Sequence, residues 1–382
     1  MPTMKVTAYH LKPRGPMHFG ERGVGVETAS VVFHADSLFS AICHAVLEAE
    51  GDARLVEMLG EFKGEPANPP FLISSVYPAI GDVRLLPRPM VGAPRSPEAP
   101  RPTDDTARKQ GKKVRYYSWD LFGRAVRGEA VNPPAHENAQ VADGQSGDVW
   151  ISVAERDRLG GDLWKTTDGR AEPWWIGGRL GRVPRVAVNR ITSASQIFHA
   201  ARVQFVQGVH LYFMVIWRRP GWRETIERIL PSLGDAGIGG ERAIGHGQFD
   251  LLDPTGTVLD LPVPDAPDGF VTVAPYCPTP DELGVPDRMQ SGVFATGAAW
   301  DLSPRGGWMA VPGVSLRQSV VTMVSEGSTM HHPTGLPATE NAFGQLLNVT
   351  PDGYTRHPVY RYGFAFPWPA VLPPPTAGAG DA

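Results

Sequence analysis

The sequence predicts an α+β fold, and two observations carry this prediction. Of the 382 residues, 43 are Gly and 38 are Pro, about a fifth of the chain, which favours short strands and many loops over a helical bundle. The predicted elements also follow a split order of strand, helix, strand, long insertion, strand, helix, glycine-rich loop and strand. This order is typical of a ferredoxin-like (RRM-like) domain, whose antiparallel sheet carries its helices on one face and leaves the other free.

Each element of this domain has a local signal. Residues 4–11 alternate apolar and polar side chains and predict the first strand, and residues 38–47 place five apolar side chains on one helical face. Asp36 or Ser37 is predicted to cap that helix, with Asp36 preferred, and Gly51 to end it. The further predictions are a short helix at 54–63, strands at 71–77, 183–191, 202–206, 208–217 and 248–252, and a helix at 222–233 that Pro231 should end or kink.

The sequence predicts two domains and a tail. The ferredoxin-like domain spans residues 1–253 and contains an insertion at about 84–180 that is rich in Pro, Gly and charge. A Pro-rich linker at 254–268 leads to a smaller, mainly β domain at 269–370, for which a degenerate ferredoxin-like unit is the alternative. Its predicted strands lie at 270–274, 291–302, 319–325 and 359–366. Residues 371–382 are of low complexity and predicted to be disordered.

Charge is segregated along the chain. With 36 Lys and Arg against 40 Asp and Glu, the net charge is −4, unlike the basic balance of an autonomous nucleic-acid binder. Residues 84–127 nevertheless hold eleven basic and four acidic residues, a local charge of +7 that leaves −11 for the rest. Within them, residues 109–117 interleave cations with aromatic rings, which suits a nucleic-acid backbone. A solvated loop is the alternative interpretation of this segment.

Several function classes are excluded. Cys43 and Cys277 are too few for a disulfide scaffold or a Cys-based zinc site. No secretion signal and no apolar run of membrane-spanning length is visible, so we expect a cytoplasmic location and no membrane partner. The G-x-S-x-G, H-E-x-x-H and G-x-G-x-x-G patterns are missing. We therefore predict no catalytic residue, no metal and no cofactor.

A glycine-rich loop precedes the last strand of the first domain. Five glycines between residues 237 and 247 allow positive φ and close backbone approach, and N–H groups exposed in such a loop can bind an anion. The Lys and Ser/Thr that complete a nucleotide-binding P-loop are not present. Arg242 adds a planar fork of donors that suits phosphate. A tight structural turn is the alternative.

Three motifs together resemble the RAMP proteins of CRISPR systems. They are the connector at 16–20 (PMHFG), the helix start at 33–41 (FHADSLFSA) and the glycine-rich loop at 239–249 (GGERAIGHGQF). Three further segments extend the similarity to about residues 4–366, namely 86–89 (LPRP), 189–192 (NRIT) and 357–363 (HPVYRYG). The combination resembles the Cas-five-like, subunit-four RAMP family of type III-A (Csm) effector complexes. Ala243 and His246 depart mildly from the loop pattern of the family.

This resemblance implies a non-catalytic RNA-binding subunit of an antiviral ribonucleoprotein. It implies that the chain holds the repeat-derived 5′ tag of the CRISPR RNA and docks both the large polymerase-like subunit and the neighbouring backbone RAMP subunit. A thumb-like hairpin is expected too, and the insertion is the first place to look for it. The matching motifs give as RNA-binding candidates Gly239, Gly240, Arg242, Gly245, His246, Gly247, His18, Gly20 and Arg22, and more weakly Arg190, Lys109, Lys112, Lys113 and Arg115.

Two other functions stay open at this point. The first is an endoribonuclease that processes repeat RNA, with His18, His34 or His246 as general acid or base. The second is a purely structural assembly subunit whose glycine-rich loop binds no RNA.

Overall fold

A computed structural model of the chain describes residues 2–20, 27–64, 68–90, 113–131, 141–143, 148–159, 181–189, 191–205, 208–284, 292–309, 316–332 and 342–372. Its helices are α1 (Ala35–Glu50), α2 (Asp52–Phe62), α3 (Trp119–Val126), α4 (Val153–Leu159), α5 (Gly221–Ala236) and α6 (Pro280–Leu283). Its strands in the N-terminal half are β1 (Thr3–Pro13), β2 (Phe71–Ile73), β3 (Tyr77–Ile80), β4 (Val83–Pro87), β5 (Tyr116–Ser118), β6 (Val141–Asp143), β7 (Val149–Ser152), β8 (Gly181–Val188) and β9 (Ser195–Arg202). The later strands are β10 (Val209–Trp217), β11 (Phe249–Leu251), β12 (Thr257–Pro262), β13 (Gly269–Thr272), β14 (Leu302–Arg305), β15 (Val321–Val324), β16 (Thr329–His331), β17 (Gly344–Asn348), β18 (Tyr360–Phe364) and β19 (Pro367–Ala370). Over this described part of the chain, no helix combines the length and apolar character needed to cross a bilayer.

The largest sheet is built around β1. Its order is β11-β1-β10-β3-β4-β5-β7-β6, with β12 also beside β1 and β2 also beside β10. β1 pairs antiparallel with β10, Thr7 lying opposite Val215, and its other edge pairs antiparallel with β11 and β12. β10 can occupy the middle of the sheet because its sequence, VHLYFMVIW, is β-branched and aromatic and can be buried on both faces.

α1 and α5 pack against each other on one face of this sheet. The Tyr9 hydroxyl on β1 donates to the Glu227 carboxylate on α5 at 2.8 Å, which identifies the face that the helices cover. Burying each large apolar side chain here stabilises the fold by about 1.5–3 kcal/mol. The buried side chains recur at helical spacing and are Leu38, Phe39, Ile42 and Val46 on α1 and Ile226, Ile229, Leu230 and Leu233 on α5.

α5 continues through Pro231, where the sequence predicted an end or a kink. The helix runs to Ala236 and ends at Gly237, whose φ is 79°. Proline in a helix interior costs about 3 kcal/mol because it removes a backbone hydrogen bond. Leu230 and Leu233 lie on either side of it and are buried in the core. Their burial offsets the cost and keeps the helix continuous.

Two later segments differ from their predictions. The predicted linker at 254–268 contains β12, which pairs with β1 along six residues from Thr3 to Ala8. Leu261 is buried there, and the gain from its burial and from the ladder of hydrogen bonds outweighs the charged and proline-rich composition. The strand predicted at 291–302 is largely turns and bends, and β14 begins only at Leu302.

The C-terminal part of the chain shares the core of the main sheet. β13, β16 and β19 form a three-stranded sheet, and β14–β15 and β17–β18 form two-stranded ones. Phe364, Phe366 and Trp368 belong to the main core, whereas Phe270 and Tyr276 lie in a smaller cluster. This part is mainly β as described, and the domain boundaries stay a prediction.

The described residues of the predicted insertion extend the main sheet. β4 pairs antiparallel with β5, and β5 pairs parallel with β7. α3 packs on the C-terminal part through Phe122, whose ring centroid lies 4.6 Å from that of Trp368. The rest of the insertion, together with residues 373–382 of the predicted disordered tail, lies outside the described residues.

Candidate nucleic-acid interface

The glycine-rich loop after α5 packs directly on the connector that follows β1. The Gly240 N–H donates to the His18 carbonyl oxygen at 2.8 Å, and the Gly247 N–H donates to that of Pro16 at 3.0 Å. Gly239 and Gly247 have φ values of 86° and 87°, which favour glycine. A Cβ on Gly239 would lie 2.4 Å from the His18 oxygen, so the close approach requires glycine. The first and third RAMP-like motifs therefore form one surface.

A hairpin of β8 and β9 is anchored beside this surface. The buried His18 ring contacts the Ala201 carbonyl oxygen through Nδ1 at 2.6 Å, and Met17 pairs with Val203 just after β9. The end of the hairpin nearest its turn exposes apolar side chains, namely Val186, Val188, Ile191 and Ile197. An exposed apolar group of this size on a two-stranded hairpin is typical of a binding element.

Cationic side chains surround the loop. Arg242 is exposed and lies in a short 3₁₀ turn, and partial burial together with the charge of Arg242 lowers the pKa of His44 on α1. His246 is buried, and this burial lowers its pKa, as do the charges of Arg185 and Arg202 on the hairpin. Arg242 thus brings a cation to the surface, whereas His246 is part of the packing. A concentration of positive charge on a fixed backbone suits an anionic ligand.

A cavity of about 460 Å³ opens between the loop, α1 and the C-terminal part of the chain. Its size falls within the range of small-molecule and nucleotide pockets. Its walls include His18 and Arg242 on the loop side, Ser40 and His44 on α1, and Trp308 and Gln318 in the C-terminal part.

Asp36 is not the helix cap that the sequence predicted. α1 begins at Ala35, with His34 at the N-cap position and no side-chain cap. The Asp36 carboxylate is instead buried against two guanidinium groups: Arg305 donates to both of its oxygens, at 2.8 and 3.1 Å, and Arg361 donates to one. Burial would raise the pKa of Asp36, but the charges of both arginines hold it well below its usual range. The carboxylate ties the start of α1 to the C-terminal part, a role that local sequence cannot indicate.

A second, partly buried ion pair lies close to the first. His34 Nδ1 lies 2.6 Å from Glu326 Oε1, and the Ser75 hydroxyl donates to the same oxygen at 2.6 Å. Burial would raise the pKa of Glu326, but the His34 charge and the hydrogen bonds from His34 and Ser75 lower it to about 2. The carboxylate is therefore ionised at neutral pH.

We expect the free energy of unfolding to fall as the pH drops from about 4.5 to 2. The pKa of Glu326 is about 2 in the folded chain against 4.5 ordinarily, so the unfolded state takes up the proton first. The stabilisation that the Glu326 carboxylate gives is complete above about pH 4.5 and is lost as the pH falls from there to about 2. Glu326→Gln should reduce the slope of stability against pH in this window by up to about 1.4 kcal/mol per pH unit. Denaturant titrations at each pH measure this slope, and an unchanged slope would contradict the assignment.

The structure brings together some predicted site residues and separates others. His18, Gly20, Gly239, Gly240 and Arg242 line the cavity, and Gly245, His246 and Gly247 complete the loop beside it. Lys113 and Arg115 lie next to β5, five strand positions from β11, which is roughly 24 Å along the sheet. They therefore belong to a different surface. Arg22, Arg190, Lys109 and Lys112 lie outside the described residues.

Sequence reasoning missed the C-terminal wall of the cavity. Trp308, Gln318, Tyr360 and Arg361 line it. The motif at 357–363 contains two of these residues and was the one available signal. No local pattern marks Trp308 or Gln318, because their positions depend on pairing between separate segments. Among the residues described, no group of three His, Cys, Asp or Glu is arranged to hold a metal ion.

Comparison with known proteins gives three matches in sequence. Residues 276–370 match the family model described as the CRISPR Csm4 C-terminal domain. The chain is 25% identical over 376 residues to the CRISPR system Cms protein Csm4 of Thermococcus onnurineus (strain NA1), covering 97% of this chain and 98% of that protein. It is 24% identical over 278 residues to the Csm4 protein of Methanocaldococcus jannaschii, covering 68% of this chain and 67% of the relative.

Solved structures share the fold. A chain in the crystal structure of the Csm3–Csm4 subcomplex of the type III-A CRISPR-Cas interference complex superposes with a TM-score of 0.62 at 16% identity, covering 96% of this chain and 99% of that one. A chain of the Csm1–Csm4 cassette in complex with cA4 gives 0.55 at 20% identity, covering 97% and 100%. The chain thus shares the α+β fold of these structures. In sequence, the chain is similar to Csm4 proteins over nearly its whole length, and its residues 276–370 match the Csm4 C-terminal domain.

Proposed function

We propose that the chain is a non-catalytic, CRISPR RNA-binding subunit of a type III-A effector complex and that its glycine-rich loop holds the repeat-derived 5′ tag. The observation that carries this proposal is the loop itself, seated on the 16–20 connector with exposed Arg242 at the edge of a cavity. A planar guanidinium suits a phosphate oxygen pair, and a fixed backbone can hold the sugar–phosphate chain. A tag of constant sequence can then be read through bases turned out of the stack.

The hairpin β8–β9 is our candidate for the thumb-like element of this family. Arg202 lies at its base and Arg185 lies midway along β8, and both are close enough to the loop to act on His246, so they can contact phosphates held there. Its exposed apolar tip suits insertion between unstacked bases. The sequence suggested the insertion at about 84–180 as the first place to look for the thumb-like element. The hairpin begins directly after it, at Gly181.

The chain is proposed to dock the large polymerase-like subunit and the neighbouring backbone RAMP subunit. Support comes from the similar solved structures, which are a Csm1–Csm4 cassette and a Csm3–Csm4 subcomplex.

Support for a ferredoxin-like N-terminal domain comes from the order β11-β1-β10-β3, its antiparallel pairing and the packing of α1 on α5. The domain limits at 253 and 269 are part of this proposal.

The endoribonuclease alternative receives no support from the three candidate histidines. His18 is bound to the Ala201 carbonyl oxygen, His34 to Glu326, and His246 is buried. A general acid or base must reach the proton that it transfers. Purified protein incubated with labelled repeat RNA is expected to leave it intact, and cleavage that disappears in a His18→Ala variant would contradict the non-catalytic assignment.

Arg242→Ala is expected to weaken binding of tag-bearing RNA about five- to tenfold and to reduce the dependence of log Kd on log salt by about 0.7–1, because one phosphate contact is lost. Titrations of labelled RNA at several salt concentrations measure both quantities. Arg228→Ala is the matched control, since that exposed arginine pairs with Glu50 on the outer side of α5. It should change neither quantity. If Arg242→Ala also changes neither, the loop is not the RNA site and the purely structural alternative is favoured.

A further inference from the structure

We infer that the cavity beside the glycine-rich loop is a pocket for one unstacked nucleobase of the bound RNA, and that the C-terminal part of the chain supplies its recognition wall. The inference rests on the proposed RNA-binding function and goes beyond it, because none of the motif-derived candidates lies in the C-terminal part. The volume of about 460 Å³ suits a single nucleotide.

Trp308 and Tyr360 are among the aromatic side chains that line this pocket, and each has a cation over one face of its ring. The Arg317 guanidinium carbon lies 4.8 Å from the Trp308 ring centroid, and Lys63 Nζ lies 4.1 Å from that of Tyr360. Each cation helps to hold its ring in place. Trp308 is 49% exposed, a costly state for so large an apolar ring in water. A base stacked on the ring would remove that exposure.

Gln318 supplies a hydrogen-bonding group in the same wall. Arg361 Nη2 donates to Gln318 Oε1, and Arg361 is itself held by the buried Asp36. Within the described part of the chain, the amide nitrogen of Gln318 donates no hydrogen bond. It can therefore donate to a ring nitrogen or carbonyl oxygen on the edge of a base. The chain of contacts from Asp36 through Arg361 fixes the orientation of this donor.

The opposite wall can hold the rest of the same nucleotide. Arg242, His44 and the Ser40 hydroxyl line it. A guanidinium and a hydroxyl are groups that bind phosphate and ribose oxygens. The pocket thus has a stacking wall, an edge-reading donor and a backbone-binding side.

The test uses the full-length protein and a tag-bearing RNA carrying one abasic nucleotide at each tag position in turn. Trp308→Ala should weaken binding of the intact RNA about tenfold or more. One abasic position should weaken binding to wild type by a similar factor and cause no further loss in Trp308→Ala, because base and ring form one interacting pair. Trp308→Phe, which keeps a ring, should restore most of the affinity. Trp300→Ala is the matched control, since Trp300 is 45% exposed but lies outside the cavity.

The outcomes separate this inference from the function on which it rests. If Arg242→Ala weakens binding while Trp308→Ala and Trp300→Ala bind like wild type, the base pocket is wrong and the RNA-binding function stands. If the factor by which Trp308→Ala weakens binding multiplies with the factor for every abasic RNA, ring and base act independently and the base pocket is also wrong. If wild type binds tag-bearing and scrambled RNA equally weakly, the proposed function itself fails. Thermal melting of each variant shows whether a loss of binding reflects a loss of folding.

Discussion

Asp36→Ala is expected to lower the free energy of unfolding by about 3–5 kcal/mol. The change removes the shared partner of Arg305 and Arg361, and the three side chains are 0%, 4% and 7% exposed. Both buried guanidinium groups would lose the carboxylate that they share, and removing one partner of a buried ion pair is strongly destabilising. Because Arg361 orients Gln318, the same change should also weaken RNA binding. Denaturant unfolding and RNA titration measure the two effects.

Asp235→Ala is the control for this change. Asp235 also pairs with an arginine, Arg14, at 2.7 Å, but its side chain is 69% exposed. An exposed pair contributes less than about 1 kcal/mol. If Asp36→Ala destabilises the protein no more than Asp235→Ala does, the buried ion pair is not what joins α1 to the C-terminal part.

Gly247→Ala is expected to have the second largest effect, destabilising the protein by more than about 2 kcal/mol and abolishing measurable selectivity for the tag. The φ of Gly247 is 87°, and a Cβ there would lie 2.1 Å from the Ile238 carbonyl oxygen. That neighbour is backbone and cannot rotate away. The two sides of the loop, which are joined by the hydrogen bond from the Ile238 N–H to the Gly247 carbonyl oxygen at 3.0 Å, would have to separate, and this movement would disturb the hydrogen bond from Gly247 to Pro16.

Gly245→Ala separates the backbone conformation from the close contact. Gly245 has nearly the same φ, 84°, but a Cβ there would meet nothing within 4 Å. It should cost only the positive φ, about 1–2 kcal/mol. Gly247→Ala should exceed it by at least about 1 kcal/mol in denaturant unfolding. Equal effects of the two changes would show that Gly247 does not lie in close contact with the Ile238 backbone.

Elements with local signals were predictable from the sequence. α1 begins and ends within two residues of its predicted limits, because its apolar spacing and Gly51 are both local. β10 matches its prediction almost residue for residue, since β-branched and aromatic residues leave few alternatives. The glycine-rich loop was identified because glycine clusters report backbone conformation directly.

Features that depend on distant partners were not predictable. Asp36 has the position and chemistry of an N-cap, and its actual partners lie 269 and 325 residues away. β12 has a weak strand signal and forms because β1 offers it an open edge. Trp308 and Gln318 face the cavity only because the C-terminal part packs on α1, a contact that no local pattern encodes.

The central claim is that this chain holds the tag of a CRISPR RNA. Sequencing the RNA that copurifies with the full-length tagged protein from cells tests it most directly. We predict a population with one common repeat-derived 5′ tag followed by variable guide sequences, reduced in Arg242→Ala. RNA without a common 5′ sequence, or the same RNA recovered equally with a version carrying Gly247→Ala and Arg242→Ala together, would contradict the claim.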